Sequence, residues 1–296
     1  MQNKRSLLAD AGLLAVAVIW GAGFAATQYA IDAGLDSAMI LLLRFTVAAL
    51  ALLIVCFKQV RTLNFSEVKW GALAGLFLFL GFFFQVEAQS RSTPSGCAFL
   101  TTTNVLMVPL ISWAVTRKRP ELKNLLLPLL AGAGIFVLSF KPGQGFSFGV
   151  GEVLALCGAF FFACQIIALD FASKKVESRK LTFMQMITAA VLALVYTLAA
   201  GGGLPSAGAL RVSALPVLYL GLMSTCLCFF LQTAAQKYAD ATKAVIFLSM
   251  EGVFGSLFSV MLGLEPFTWM LGVGGSVLFL SAVLTEVKLP AIKKRA

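Results

Sequence analysis

Leu80-Gly81-Phe82-Phe83-Phe84-Gln85-Val86-Glu87-Ala88-Gln89 recurs without a gap as Leu227-Cys228-Phe229-Phe230-Leu231-Gln232-Thr233-Ala234-Ala235-Gln236, 147 positions later. Six of the ten pairs are identical. Leucine and phenylalanine matches mean little in a chain with 26 Phe. The glutamines mean more: Gln85 and Gln89 match Gln232 and Gln236, and a spacing of four puts each pair on one helix face. The chain therefore carries an internal repeat, and the setting of one copy constrains the other.

That setting is a bilayer. The 296 residues are 59% hydrophobic and only 12% charged, with a mean hydropathy of +0.92. Soluble domains carry about 25% charged residues. A membrane span needs roughly 20 apolar residues. Ten stretches fit, near 8–31, 38–57, 68–88, 93–116, 122–140, 149–170, 181–200, 213–235, 242–263 and 267–287. The expected fold is an all-α integral membrane protein of ten transmembrane helices. Pro, Gly and charge mark the joints, as at Asp32-Ala33-Gly34-Leu35-Asp36 and Lys141-Pro142-Gly143-Gln144-Gly145. Lys4 and Arg5 precede an apolar run longer than the ~7–15 residues of a signal-peptide core, so it reads as an uncleaved first span.

The basic residues test the count. With the N-terminus in the cytoplasm, 19 of the 23 fall on cytoplasmic segments, from Lys4 and Arg5 to the tail Lys288, Lys293, Lys294 and Arg295. Only Arg91, Lys141 and Arg211 fall outside, and Arg44 lies within a span. The positive-inside rule predicts this split for N-in, C-in topology, here in a cell (inner) membrane. The net charge of +10 thus reads as topology and not as a nucleic-acid surface.

Five spans per copy is an odd number, so the second copy enters from the opposite side. The expected organisation is a first repeat over 1–141, an inverted second repeat over 146–287, and a basic cytoplasmic tail over 288–296. Inverted repeats of this kind mark secondary transporters.

Individual motifs add to this. The first span carries Ile19-Trp20-Gly21-Ala22-Gly23-Phe24 and the second Leu43-Arg44-Phe45. The fourth carries Phe99-Leu100 and Val108-Pro109-Leu110, and the ninth Glu251-Gly252-Val253, ending near Gly263-Leu264-Glu265. In this order over residues 8–286 the chain resembles the drug/metabolite transporter superfamily, in its EamA branch. The family usually has Glu-Pro-Val in the ninth span, and this chain lacks that Pro. The resemblance implies a ten-helix transporter with a central cavity lined by spans 1, 3, 4, 6, 8 and 9, with spans 5 and 10 apart. The family is diverse in substrate, so the resemblance names no ligand.

Polar groups at bilayer depth are expensive and mark functional sites. Glu251 sits mid-span 9, and at the repeat offset its partner is Asn104, mid-span 4. Both repeats thus place a polar side chain near the midplane, where transporter sites form. Glu251 could carry a proton or face a cation; a structural hydrogen bond is the alternative. Gln85, Gln89, Gln232 and Gln236 offer donors and acceptors alike, either to a polar substrate or as interhelical glue. Trp20, Phe24 and Gln28 in span 1 and Phe160, Cys164 and Ile167 in span 6 share helical spacing, as a pocket wall or as packing. Arg44 is expected either to snorkel or to latch an outer gate with Glu87 or Glu152. Small residues at Ala131-Gly132-Ala133-Gly134 and Gly272-Val273-Gly274-Gly275 suit close packing of spans 5 and 10, on each other or across a homodimer.

The function expected is export of a small polar or amphipathic metabolite, amino-acid-like, with a lipid flippase or a non-transporting scaffold as the alternative. No G-x-x-x-x-G-K-[ST] motif for ATP occurs. The absence of His removes the usual general base and the commonest metal ligand, and the six Cys form no C-x-x-C pair. Neither enzyme chemistry nor a cofactor or metal is expected. The topology predicts that single cysteines at Gly34 and Gly143 react with an impermeant thiol reagent from outside. Cysteines at Asn64 and Ser178 should react only from inside, and one position on the wrong side breaks the assignment.

Overall fold

A chain that crosses hydrocarbon must satisfy its own backbone, and helices do so locally. The computed structural model describes residues 2–139, 149–201, 204–264 and 266–286. The expected joint at Lys141–Gly145, Glu265 and the tail from Lys288 lie outside them. Every regular element among the described residues is helical.

Apart from a single turn at Phe57–Val60, the helices are α1 (Gln2–Asp32), α2 (Ser37–Val55), α3 (Phe65–Gln89), α4 (Pro94–Thr102 and Asn104–Thr116) and α5 (Lys123–Ser139). They continue as α6 (Val150–Ala172), α7 (Ser178–Ala200), α8 (Ala207–Ala235), α9 (Ala241–Leu248 and Glu251–Met261) and α10 (Trp269–Glu286). Eight of these, α1–α4 and α6–α9, are long and apolar enough to cross a membrane. The other two hold shorter apolar stretches, Asn124–Val137 in α5 and Gly272–Leu284 in α10. The structure thus gives an all-helical membrane fold, with eight helices meeting the length that the sequence expected of ten.

Polar residues in the joints start the helices. Asp36 accepts from Met39 N at 2.8 Å, Thr93 from Gly96 N at 3.1 Å, Ser206 from Ala209 N at 3.1 Å and Asp240 from Lys243 N at 2.9 Å. Asn64 and Glu67 form a reciprocal capping box at the start of α3. Each cap satisfies a backbone N–H that the first helical turn leaves unpaired. Ser206 sets the start of α8 at Ala207, about two turns earlier than hydropathy alone suggests.

The two halves interleave. α3 packs along both α6 and α7, α2 along α7 and α8, and α1 along α9. α5 and α10 pack on each other. There Gly134 lies so close that a Cβ would sit 2.9 Å from Gly274 O, and Ser281 Oγ donates to Leu127 O at 2.9 Å. The expected small-residue seam thus forms within one chain. The two largest apolar cores among the described residues lie around Leu13, Val16, Val105, Val108, Val245 and Ile246, and around Ile40, Leu41, Phe45, Leu78, Met186 and Phe229. Ile54, Leu198, Leu215 and Phe279 point away from the protein, as lipid-facing side chains do.

Ion pairs and hydrogen bonds stitch the halves at their ends. Lys243 pairs with Asp10 at 2.8 Å and Lys180 with Glu67 at 3.0 Å. Tyr196 OH donates to Glu87 at 3.1 Å, and Ser92 Oγ donates to Glu152 at 3.2 Å.

Close approach of α3 to α7 depends on Gly75. A Cβ there would lie 2.7 Å from Gln185 O and 2.7 Å from Thr188 Cβ. Gly75→Ala should therefore destabilise the fold by about 1–3 kcal/mol, the usual range for overpacking. Gly12→Ala, with nothing within 4 Å, should leave the thermal midpoint in detergent unchanged or slightly higher. Equal behaviour of the two variants would refute the packing.

Candidate functional site

Two helices break at repeat-equivalent positions. In α4, Thr102 Oγ1 donates to Phe99 O at 2.7 Å and Thr103 Oγ1 to Leu100 O at 2.6 Å. The backbone tightens with them, Thr103 N donating to Leu100 O at 3.2 Å. In α9, Ser249 Oγ donates to Ile246 O at 2.7 Å, and Met250 N to Phe247 O at 3.2 Å. Hydroxyls that bond back to carbonyls compete with the regular ladder and bend helices. The residues that restart the two helices are Asn104 and Glu251. The breaks also meet: a Cβ on Gly252 would lie 3.2 Å from Thr102 Oγ1 and 3.3 Å from the Phe99 ring. A glycine at position 252 suits that crossing.

Asn104 and Glu251 face one cavity lined by α1, α2, α3, α4, α6, α8 and α9. The empty space between its walls is about 530 Å³, counting open solvent. Trp20, Phe24, Phe82, Phe162 and Phe229 form an aromatic wall. The Trp20–Phe229 and Phe82–Phe162 ring centroids are each 5.0 Å apart. The polar lining is Thr27, Arg44, Gln85, Asn104, Gln165, Ser224, Gln232 and Glu251. Asn104 Oδ1 and Gln232 Oε1 are buried without a hydrogen-bond partner. Glu251 makes no hydrogen bond or ion pair among the described residues.

Glutamines orient each other along one wall. Gln232 Nε2 donates to Gln165 Oε1 at 3.3 Å, Gln165 Nε2 to Gln185 Oε1 at 3.1 Å, and Gln185 Nε2 to Thr233 Oγ1 at 3.4 Å. Gln85 Nε2 donates to Thr101 Oγ1 at 3.3 Å.

α8 widens to a π-helix over Tyr219–Leu227, in the middle of its length. π turns disturb the backbone ladder and occur often at functional sites. Ser224 O here accepts from Trp20 Nε1 at 2.7 Å. Ser224 Oγ and Thr225 Oγ1 accept from Arg44, at 3.5 Å from Nη2 and 3.1 Å from Nε.

The structure brings together six of the ten cavity residues expected from sequence: Trp20, Phe24, Gln85, Asn104, Gln232 and Glu251. Gln89 and Gln236 sit behind the wall as matching clamps. Gln89 Nε2 donates to Phe24 O at 2.8 Å, and Gln236 Nε2 donates to Ile166 O at 2.8 Å. Phe160 is 46% exposed and points outward. Cys164 is half-buried and outside the lining. The face of α6 that lines the cavity carries Phe162, Gln165 and Ile166 instead. These lie 142 positions after Trp20, Gly23 and Phe24, all cavity residues, so α1 and α6 follow a shorter offset than α3 and α8.

Arg44 does not meet either of the carboxylates expected to latch it. It is buried in the cavity wall, 2% exposed, and so does not snorkel. Glu87 pairs with Arg91 and Tyr196, and Glu152 accepts from Ser92 Oγ and Gly149 N. Both carboxylates tie the two halves together, but without Arg44.

A model of the EamA-like transporter family matches residues 7–140 and 149–287. The chain belongs to the EamA-like transporter family. It is accordingly a multi-pass membrane transporter, as the resemblance to the drug/metabolite transporter superfamily implied. An uncharacterized transporter of Archaeoglobus fulgidus is 27% identical to this EamA-like chain over 290 residues, 97% of this chain and 88% of that one. A solved crystal structure superposes on it with a TM-score of 0.75 at 19% identity, covering 96% of each chain. That likeness concerns the fold alone.

The clamps give a direct test. Gln89→Leu leaves the carbonyl of Phe24 without its side-chain donor in a buried place. The loss should be about 1–3 kcal/mol, read as a lower thermal midpoint of the purified EamA-like protein. A midpoint equal to the parent's would show that the bond contributes nothing.

Proposed function

We propose that this EamA-like protein is a secondary transporter that exports a small polar or amphipathic metabolite, amino-acid-like, by alternating access around the central cavity. In this reading two inverted repeats, residues 1–141 and 146–287, rock against each other in a cell membrane, with both termini in the cytoplasm. The observation that carries it is the pair of equivalent helix breaks, which set Asn104 and Glu251 on one cavity. Transporter sites are commonly built from discontinuous helices meeting at the bilayer midplane. The lining also fits: apolar rings for bulk, and a few convergent polar groups for orientation. Unpartnered oxygens on Asn104 and Gln232 are acceptors that a polar ligand can use.

Flux of labelled amino acids from proteoliposomes, with and without a pH gradient, tests both transport and direction. Asn104→Ala should weaken substrate binding by about 1 kcal/mol, one neutral hydrogen bond. Glu251→Gln keeps the shape and an acceptor but removes the charge. If Glu251 carries a proton, this variant loses the pH dependence of flux and still binds substrate. If it contacts substrate, binding weakens and the pH dependence stays. Should both variants fold, bind and transport like the parent, the midplane pair is structural and the transport reading of this cavity fails.

A further inference from the structure

We propose that Arg44 is the anion-binding pole of the cavity, and that the transported molecule docks a carboxylate on it while a cationic group faces Glu251. This deepens the transport reading above and rests on it.

Arg44 stands alone among the apolar residues of α2 and is 2% exposed. A buried cation normally keeps a carboxylate beside it, because an uncompensated charge in a low-dielectric interior is costly. None is there. Among the described residues the ion pairs are Arg91–Glu87, Lys174–Asp170, Lys180–Glu67 and Lys243–Asp10. A guanidinium has five N–H donors. Two of Arg44's meet neutral hydroxyls, Thr225 at 3.1 Å and Ser224 at 3.5 Å, and the others have no partner among the described residues.

The side chain is nevertheless held in place. Its guanidinium carbon lies 3.8 Å from the centroid of the Phe82 ring, a cation–π distance. Its two hydroxyl partners sit on the π-helical turn of α8, which packs tightly on α2: a Cβ on Gly221 would lie 2.5 Å from Val47 Cγ1. The planar donor fork is thus pre-oriented beside the cavity with donors to spare. That is the arrangement for a planar carboxylate.

Glu251 sets the charge of the ligand. It lines the same cavity, lacks a partner and makes no ion pair with Arg44. One cation and one anion, held apart, are satisfied together by a molecule carrying both signs. A phosphate monoester brings a charge of about −1.5 to −2 and would leave excess negative charge next to Glu251. A simple amine would leave Arg44 unpaired. The aromatic wall takes the apolar remainder of the ligand.

The test uses the purified full-length protein at fixed ionic strength and matched probes. These are L-leucine and L-phenylalanine, their methyl esters, and the decarboxylated amines isoamylamine and phenethylamine. Titration calorimetry should show at least one amino acid binding tenfold or more tightly than both its ester and its amine. Arg44→Gln should remove that preference, and Arg44→Lys should keep part of it. The ester comparison needs no mutation, so it stands even if the Arg44 variants fold poorly. Equal binding of amino acid, ester and amine to the parent overturns the proposal, as does no binding by any of them. Proteoliposome flux of the same probes separates this outcome from failure of the transport reading. Amines moved as well as amino acids would leave the transporter standing and remove the Arg44 role. Carboxylate-selective binding without flux would do the reverse.

Discussion

Hydrocarbon offers a backbone no hydrogen-bond partners, and the rest of this structure depends on that. A helix answers the demand by bonding each N–H to a carbonyl in its own chain. A helix can therefore be interrupted at depth only where something else takes the freed groups. Thr102, Thr103 and Ser249 do so with hydroxyls aimed at carbonyls three residues back. The same demand explains why the breaks face a cavity and a neighbouring helix and not lipid. Once they exist, the residues that restart the helices become the polar groups of the site.

Side chains follow the same rule with larger energies. Gln232, Gln165 and Gln185 are each satisfied on the donor side, in a series that ends on Thr233. Arg44 and Glu251 lie outside that series. Arg44 is held by neighbours of no opposite charge, Glu251 has no side-chain partner among the described residues, and both border the same space. In a low-dielectric setting such charges act strongly on whatever enters, and they need no reorganisation when it does.

Much of this was legible in the sequence. Apolar runs gave the helices, and the span limits near 38, 93 and 242 lie close to the starts found at Ser37, Pro94 and Ala241. Asn104 and Glu251 were legible because a polar residue at midplane depth, repeated at one offset, has few innocent explanations. The face of α6 was not. Its offset from α1 is 142 and not 147, because the second copy holds five more residues between its first and third helices than the first does. A periodic aromatic stripe therefore selected Phe160 and Cys164, while Phe162 and Gln165 lie on the cavity. The setting of Arg44 was hidden for another reason. Its position depends on the π-helical turn in α8, and a widened turn leaves no mark in hydropathy. Glu87 and Glu152 were close enough in sequence depth to suggest a pairing, but the nearer donors Arg91, Tyr196 and Ser92 take them.

The interleaving of the halves has a consequence for biosynthesis. α3 finds its closest neighbours, α6 and α7, only in the second half of the chain. α7 ends at Ala200, and at about 5–20 residues per second it leaves the ribosome several seconds after α3 is complete. Throughout that interval the glycine face of α3 has no final partner, and Arg44 lacks its hydroxyl partners Ser224 and Thr225. The nascent first half must be sheltered in the membrane, by insertion machinery or by lipid headgroups, until the rest of the chain arrives to close over it.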